Sequence, residues 1–385
     1  MILTNCPACA APLPPLAAKQ CSRCKTRYCG SACQAQHWKE GGHDKLCKKI
    51  RKGGGAEQYH ADNKYAEAVA VAVEKCAEDT KGQTCYICME AVHSRTGEGL
   101  VRECACHTTE GFVHVSCLAE QAKILVAEAE ENNLGHEVLG ERCRRWDTCS
   151  LCEQRYYGVV RCALGWACWK TYVDRPETDQ VRGLAMSSLG NGLGAAEHHE
   201  DALSVREAEL SMLRRLETSE ESMLAVQANL AGTYYALGRV EDAILIERDV
   251  YAGRLKLSGE EGVSTLISAN NYATSLASLT RFEEAKSLLR KTIPVARRVF
   301  GESDDLTLAM KKNYARSLYE NSCATLGDLH EAVNTLVETE RTARRVLGIS
   351  HPDALSIEEA LRQSRAVLRV RELTCELEAS PLGSE

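Results

Sequence analysis

Cys21-Ser22-Arg23-Cys24-Lys25-Thr26-Arg27-Tyr28-Cys29-Gly30-Ser31-Ala32-Cys33 places four cysteines in thirteen residues. Cys6-x2-Cys9 precedes this stretch and His43-x3-Cys47 follows it, so residues 6–47 hold eight potential metal ligands in four close pairs. A second series follows: Cys85-x2-Cys88, Cys104-x-Cys106, His114-x2-Cys117 and Cys149-x2-Cys152. The two series use fourteen of the twenty cysteines. Zinc takes four ligands in a tetrahedron, and each close pair supplies two from one turn. Cys29 with Cys33 and His43 with Cys47 stand four apart, which predicts helical turns aiming each pair to one side. Spacing leaves open whether consecutive or interleaved pairs share a metal. Sixteen ligands predict four zinc ions per chain.

Composition sets the context. A chain of 385 residues has room for two or three domains at about 150 residues each. The N-terminus, MILTNCPACAAP, lacks the basic-then-apolar run of a secretory signal. No stretch approaches the run of about 18 apolar residues that spans a membrane; the best, Tyr156–Trp169, is interrupted by Arg161. These features predict a cytoplasmic or nuclear protein without a membrane partner, in which dense cysteine means metal and not disulfides. Only three Phe point to small modules and stacked helices. A net charge of −7 and a pI of 6.0 argue against nucleic acid as a partner of the whole chain. The charge is uneven: residues 1–52 carry ten basic against two acidic side chains, a net +8, which leaves −15 for the remainder. Solvation of a small module accounts for such lysines, and contact with nucleic acid or acidic peptides is the alternative.

Between the cysteine series, Gly53-Gly54-Gly55 reads as a flexible break and residues 56–79 as a helix. Tyr65, Val69, Val73 and Cys76 form its apolar stripe, which makes Cys76 a core residue. Helices are also expected over Leu118–Glu131 and Tyr156–Trp169, with Cys162 and Cys168 as buried apolar residues. From about residue 181 a repeat of 42 residues sets in: Asn229-Leu230-Ala231, Asn271-Tyr272-Ala273 and Asn313-Tyr314-Ala315 recur. Glu241-Asp242-Ala243, Glu283-Glu284-Ala285 and Glu331-Ala332 follow in step, the last after an insertion around Asn321–Thr325, and Gly259, Gly301 and Gly348 close the units. Glu200-Asp201-Ala202 begins the array more weakly. Each unit reads as helix, turn, helix, and stacking supplies the core that one unit lacks.

Three resemblances follow from these residues. Cys29-Gly30-Ser31-Ala32-Cys33-Gln34-Ala35-Gln36-His37-Trp38-Lys39 with His43-x3-Cys47 resembles the MYND-type zinc finger. That resemblance implies interleaved metals: Cys6, Cys9, Cys29 and Cys33 on one, Cys21, Cys24, His43 and Cys47 on the other. It leaves His37 packing or hydrogen-bonding beside Trp38, and implies binding of proline-containing peptides. Ala11–Leu16 itself resembles such a ligand, but reads better as a rigid spacer between the cysteine pairs.

Glu103-Cys104-Ala105-Cys106-His107 with Phe112-Val113-His114-Val115-Ser116-Cys117-Leu118 resembles the RING-CH (RING-variant) finger. This implies Cys85, Cys88, His114 and Cys117 on one zinc and Cys104, Cys106, Cys149 and Cys152 on the other, with His107 and Cys143 outside the pattern. It also implies ubiquitin ligation without a covalent intermediate. Ile87 would contact a ubiquitin-conjugating enzyme, and Trp146 would either replace an aromatic that the family carries where this chain has Gln121 or cap the core.

The 42-residue units resemble tetratricopeptide repeats of the kinesin-light-chain type over residues 185–370. They imply a concave surface for peptide or protein substrates, with Asn229, Asn271 and Asn313 either bonding a peptide or bonding locally between helices.

The expected fold is therefore mainly α, two small cross-brace zinc fingers followed by a helical tetratricopeptide-repeat superhelix. The boundaries are 1–50 MYND finger, 51–80 hinge and linker helix, 81–158 RING-CH finger, 159–180 docking helix, 181–370 repeats capped by Ile357–Leu368, and 371–385 a disordered tail. A non-enzymatic scaffold for protein–protein interaction is the competing function.

Overall fold

The computed structural model describes residues 5–11, 13, 18–104, 106 and 111–379, and the chain is mainly helical. Residues 1–229 and 230–385 form two compact units.

In the first unit, β1 (Lys19–Gln20) pairs antiparallel with β2 (Arg27–Tyr28), followed by α1 (Ser31–Lys39) and α2 (His43–Lys52). Gly42, at φ 69°, turns the chain between the two helices. Their core is small: Cys6, Cys21, Cys24, Tyr28, Cys47, Ile50 and Ala56 are its buried members. A core of this size depends on metal for stability. The glycine stretch is tied down where a flexible break was expected. Gly55 donates to the Ile50 carbonyl at 3.1 Å, and Ala56 donates to Cys24 at 2.9 Å.

The next helix, α3 (Ala56–Cys76), buries Ala61, Val69, Ala72 and Cys76, close to the expected stripe. It packs on α6 (Gly158–Tyr172), which is buried on nearly every side. Such a helix is a central strut, so the expected docking helix is the middle of this unit. Between α3 and α6 lie α4 (Val115–Glu131), α5 (His136–Cys143) and single bridges Val101–Val113 and Thr148–Arg155. Cys162 and Cys168 are buried among Trp166, Trp169, Tyr172 and Leu189, as expected.

α7 (Gln180–Ala195) lies against α6 at very close range. A Cβ on Gly192 would stand 2.7 Å from the Arg161 carbonyl oxygen, and one on Gly165 would stand 3.0 Å from that of Ser188. α8 (His199–Arg215) packs on α7. α7 and α8, expected to open the repeat domain at 181, thus share their core with the finger-bearing unit. The chain passes to the second unit within α9 (Glu220–Ala236).

The second unit continues as α10 (Val240–Ser258), α11 (Val263–Ser278), α12 (Phe282–Phe300), α13 (Asp305–Tyr319), α14 (Leu326–Leu347) and α15 (Pro352–Ala379). Each packs on its neighbour, and Ala273, Ala285, Ala315 and Ala332 are fully buried where helices approach. Gly259, Gly301 and Gly348 end α10, α12 and α14 at φ 69°, 93° and 90°. That left-handed backbone explains the glycine that closes each unit. After the insertion, Thr325 and Asp328 form a reciprocal capping box that starts α14. Ile357, Leu361 and Leu368 cap the core as expected, but helix continues to Ala379 where a tail was expected from 371.

Candidate metal centres and binding surfaces

Four turns of one shape build the metal centres. In Cys6–Ala11, Cys21–Thr26, Cys85–Glu90 and Cys149–Gln154, the amide of the first cysteine donates to the carbonyl five residues on, at 2.8–2.9 Å. In return, the residue after the second cysteine donates to the first cysteine's carbonyl. These are Ala10, Lys25, Met89 and Glu153, at 2.8, 2.9, 2.9 and 3.1 Å. All four have positive φ, between 57° and 64°. In two of the turns an amide is also aimed at sulfur: Ile87 to Cys85 and Leu151 to Cys149, each at 3.4 Å. Such hydrogen bonds favour the thiolate that binds metal.

The donors gather into four groups: Cys6, Cys9, Cys29 and Cys33; Cys21, Cys24, His43 and Cys47; Cys85, Cys88, His114 and Cys117; Cys104, Cys106, Cys149 and Cys152. Within each group all donor atoms lie within 4.8 Å of one another. Pairing is interleaved in both series. Cys9 to Cys29 is 3.6 Å, Cys21 to Cys47 is 3.8 Å and Cys106 to Cys149 is 3.7 Å between sulfurs. The imidazoles present different atoms: His43 aims Nε2 at Cys24 at 3.3 Å, whereas His114 aims Nδ1 at Cys88 at 3.3 Å. Four donors at zinc bond lengths stand about 3.4–3.8 Å apart on the edges of a tetrahedron, so the residues fit that ion. Each site is closed by four protein atoms.

His37 is outside the groups. It hydrogen-bonds Tyr28 Oη through Nδ1 at 3.0 Å and lies 5.2 Å from the His43 ring, and burial holds its pKa below the usual value. Cys76 accepts from the Arg102 amide at 3.4 Å, and Cys143 joins no group. His107 and most of Ala11–Leu16 lie outside the described residues.

The structure separates the two residues expected to contact a conjugating enzyme. Ile87 is 37 % exposed on its turn. Trp146 is 2 % exposed, with its ring edge-on to Tyr172 at 5.8 Å, so it is core and cannot serve as a contact. Tyr86 Oη and Ser150 Oγ, at 3.1 Å, link the Cys85 and Cys149 turns, and Leu151 on the second of them is 46 % exposed.

The asparagine series also divides. Asn229 and Asn271 are half-buried, but Asn313 is buried and donates to Asn270 Oδ1 and Thr274 Oγ1, both at 2.9 Å. Asn313 therefore ties α13 to α11 and is removed from the peptide-binding set. Among the described residues no helix is long and apolar enough to cross a membrane.

Residues 6–47 match the MYND finger family, and residues 223–262 and 265–305 match the tetratricopeptide repeat family. The chain thus carries a MYND finger and tetratricopeptide repeats. Among solved structures it is similar to a putative kinesin light chain with nearly identical TPR-like repeats from Podosopora anserina. A single-substitution form of that protein has 20 % identity, covering 60 % of this chain and 97 % of that one, with a TM-score of 0.38. The unsubstituted form gives 19 %, the same coverage and 0.37. BtubC (BKLC) from P. vanneervenii gives 14 % identity, 70 % and 95 % coverage and 0.36. Likeness at this level carries no functional argument. No curated protein sequence matches the chain.

Proposed function

We propose that this protein is a zinc-binding scaffold that joins partner proteins through its fingers and its helical repeats. The observation that carries this reading is the union, in one chain, of a MYND finger with closed metal sites and tandem tetratricopeptide repeats. Both are shapes for holding other proteins, and neither leaves a metal position open to activate water. On this reading four zinc ions are structural, the finger within residues 1–50 takes short peptides, and the repeats hold a second partner. Holding two partners on one chain raises the concentration of each near the other. Affinity capture with the full chain tests this. A set of identified proteins should be lost with Cys24→Ser/His43→Ala and another retained through the repeats. A partner list unchanged by removal of the finger ligands, or an empty one, refutes it.

A second reading, a RING-CH-type ubiquitin ligase, draws support from the interleaved second pair of clusters and from Ile87 and Leu151 exposed on adjacent turns. Its contribution would be orientation of a charged conjugating enzyme. Ubiquitin, activating enzyme and a panel of conjugating enzymes decide between the two. Chains that vanish with Ile87→Ala and Leu151→Ala would establish the ligase; none across the panel leaves the scaffold.

A further inference from the structure

We propose that the outward face of α2 binds an acidic peptide segment of a partner protein, held by Lys45, Lys48, Lys49 and Lys52. The proposal rests on reading the first finger as a protein-binding module and names the chemistry of one of its ligands.

His43, Cys47 and Ile50 are the buried side of α2. Lys45, Lys48, Lys49 and Lys52 stand at i, i+3, i+4 and i+7 on the opposite side, and all are exposed. Within the described residues none of them forms an ion pair; Lys49 only leans over the Tyr59 ring, at 5.7 Å. The acidic side chains that follow in α3 are engaged elsewhere: Glu57 with Arg182 at 3.6 Å, Asp62 with Lys170 at 3.7 Å and Glu67 with Lys64 at 2.7 Å. Glu40 and Asp44 are the only acids in residues 1–52, too few to neutralise the ridge.

Such a ridge is unfavourable by itself. Four like-charged pairs stand one turn apart, and Lys45 lies in the first turn, against the helix dipole. Solubility does not require it, because residues 53–229 already carry 29 acidic against 17 basic side chains. An anionic partner relieves the repulsion.

Two observations favour a peptide over nucleic acid. Leu46, 44 % exposed, flanks the ridge and suits an aliphatic side chain, which a phosphodiester strand does not offer. A duplex is also larger than the finger, and would bring many phosphates against the acidic remainder of the same unit.

The test is fluorescence anisotropy on the full-length, zinc-loaded protein. The probe is a labelled twelve-residue peptide of Glu-Glu-Leu repeats; the comparisons are the same peptide with Gln for Glu and a labelled 20-base-pair duplex. The Glu peptide should bind and weaken as salt rises from 50 to 300 mM, while the Gln peptide should not bind. K45Q/K48Q/K49Q/K52Q should weaken binding about tenfold or more, with K45R/K48R/K49R/K52R retaining it. Equal binding by the Gln variant, loss with the Arg variant, tighter binding of the duplex, or no binding of the Glu peptide would each overturn the proposal. Finger-dependent capture of partners that persists in the Gln variant would then leave the scaffold reading standing.

Discussion

Met89 shows what the metal turns ask of single residues. It follows Cys88 at φ 62°, a left-handed conformation that costs a side chain about 1–2 kcal/mol, and 71 % of it is exposed. Met89→Gly should therefore stabilise the zinc-loaded protein by about 1 kcal/mol, read as a higher thermal midpoint at unchanged zinc content. Glu247 on α10 is the opposite case, a 4 %-exposed carboxyl whose Oε2 is buried without a hydrogen-bond partner. Burial pushes its pKa up to about 7. Unfolded glutamate releases its proton near pH 4.3 while the native state keeps it, so the stability this group contributes is fully present below that pH. It is lost as pH rises to about 7, by about 3 kcal/mol. Glu247→Gln should exceed the wild type in urea unfolding by much less at pH 5 than at pH 8. A constant difference between the two pH values would contradict the assignment. Neither feature was legible beforehand. The ligands were, because metal chemistry fixes their spacing. The burial of Trp146 and the link between the Cys85 and Cys149 turns depend on how segments distant in sequence dock.

Elements tell a similar story through α6 and α7. The apolar run Tyr156–Trp169 predicted a helix, but its place at the centre of the first unit depends on contacts with α3, α4 and α7 that no local pattern encodes. The glycines of α7 are the one trace in sequence: Gly190, Gly192 and Gly194 weaken a helix unless something must come close. At Gly192 that neighbour is the α6 backbone, 2.7 Å from an added Cβ, whereas at Gly183 nothing lies within 4 Å. Gly192→Ala should destabilise the first unit by about 1–3 kcal/mol through overpacking. Gly183→Ala should stabilise it by about 1 kcal/mol through helix propensity. Fluorescence melts of Trp166 and Trp169, which sit on α6, measure both. Equal effects would mean that the two helices do not meet as described.

The whole chain combines two ways of making a core. The 42-residue period revealed the second, stacked helices, because every unit repeats the same alanine and glycine requirements. It did not show that α7 and α8 pack with the finger-bearing unit, since a repeating pattern says nothing about what each helix covers. All four metal clusters lie in residues 1–229, as do all four tryptophans, at 38, 146, 166 and 169. Among the described residues of 230–385 there is no metal cluster, and the core there is built from stacked helices. Structural zinc contributes about 10–16 kcal/mol per site near neutral pH, more than a small finger core supplies. A strong chelator should thus release four zinc ions and shift tryptophan fluorescence to that of an unfolded chain. A large part of the helical circular dichroism should survive and melt at an unchanged temperature, because that signal belongs to a unit with its own core. A single melting transition that moves with zinc at both wavelengths would show that the repeats, too, are held up by metal.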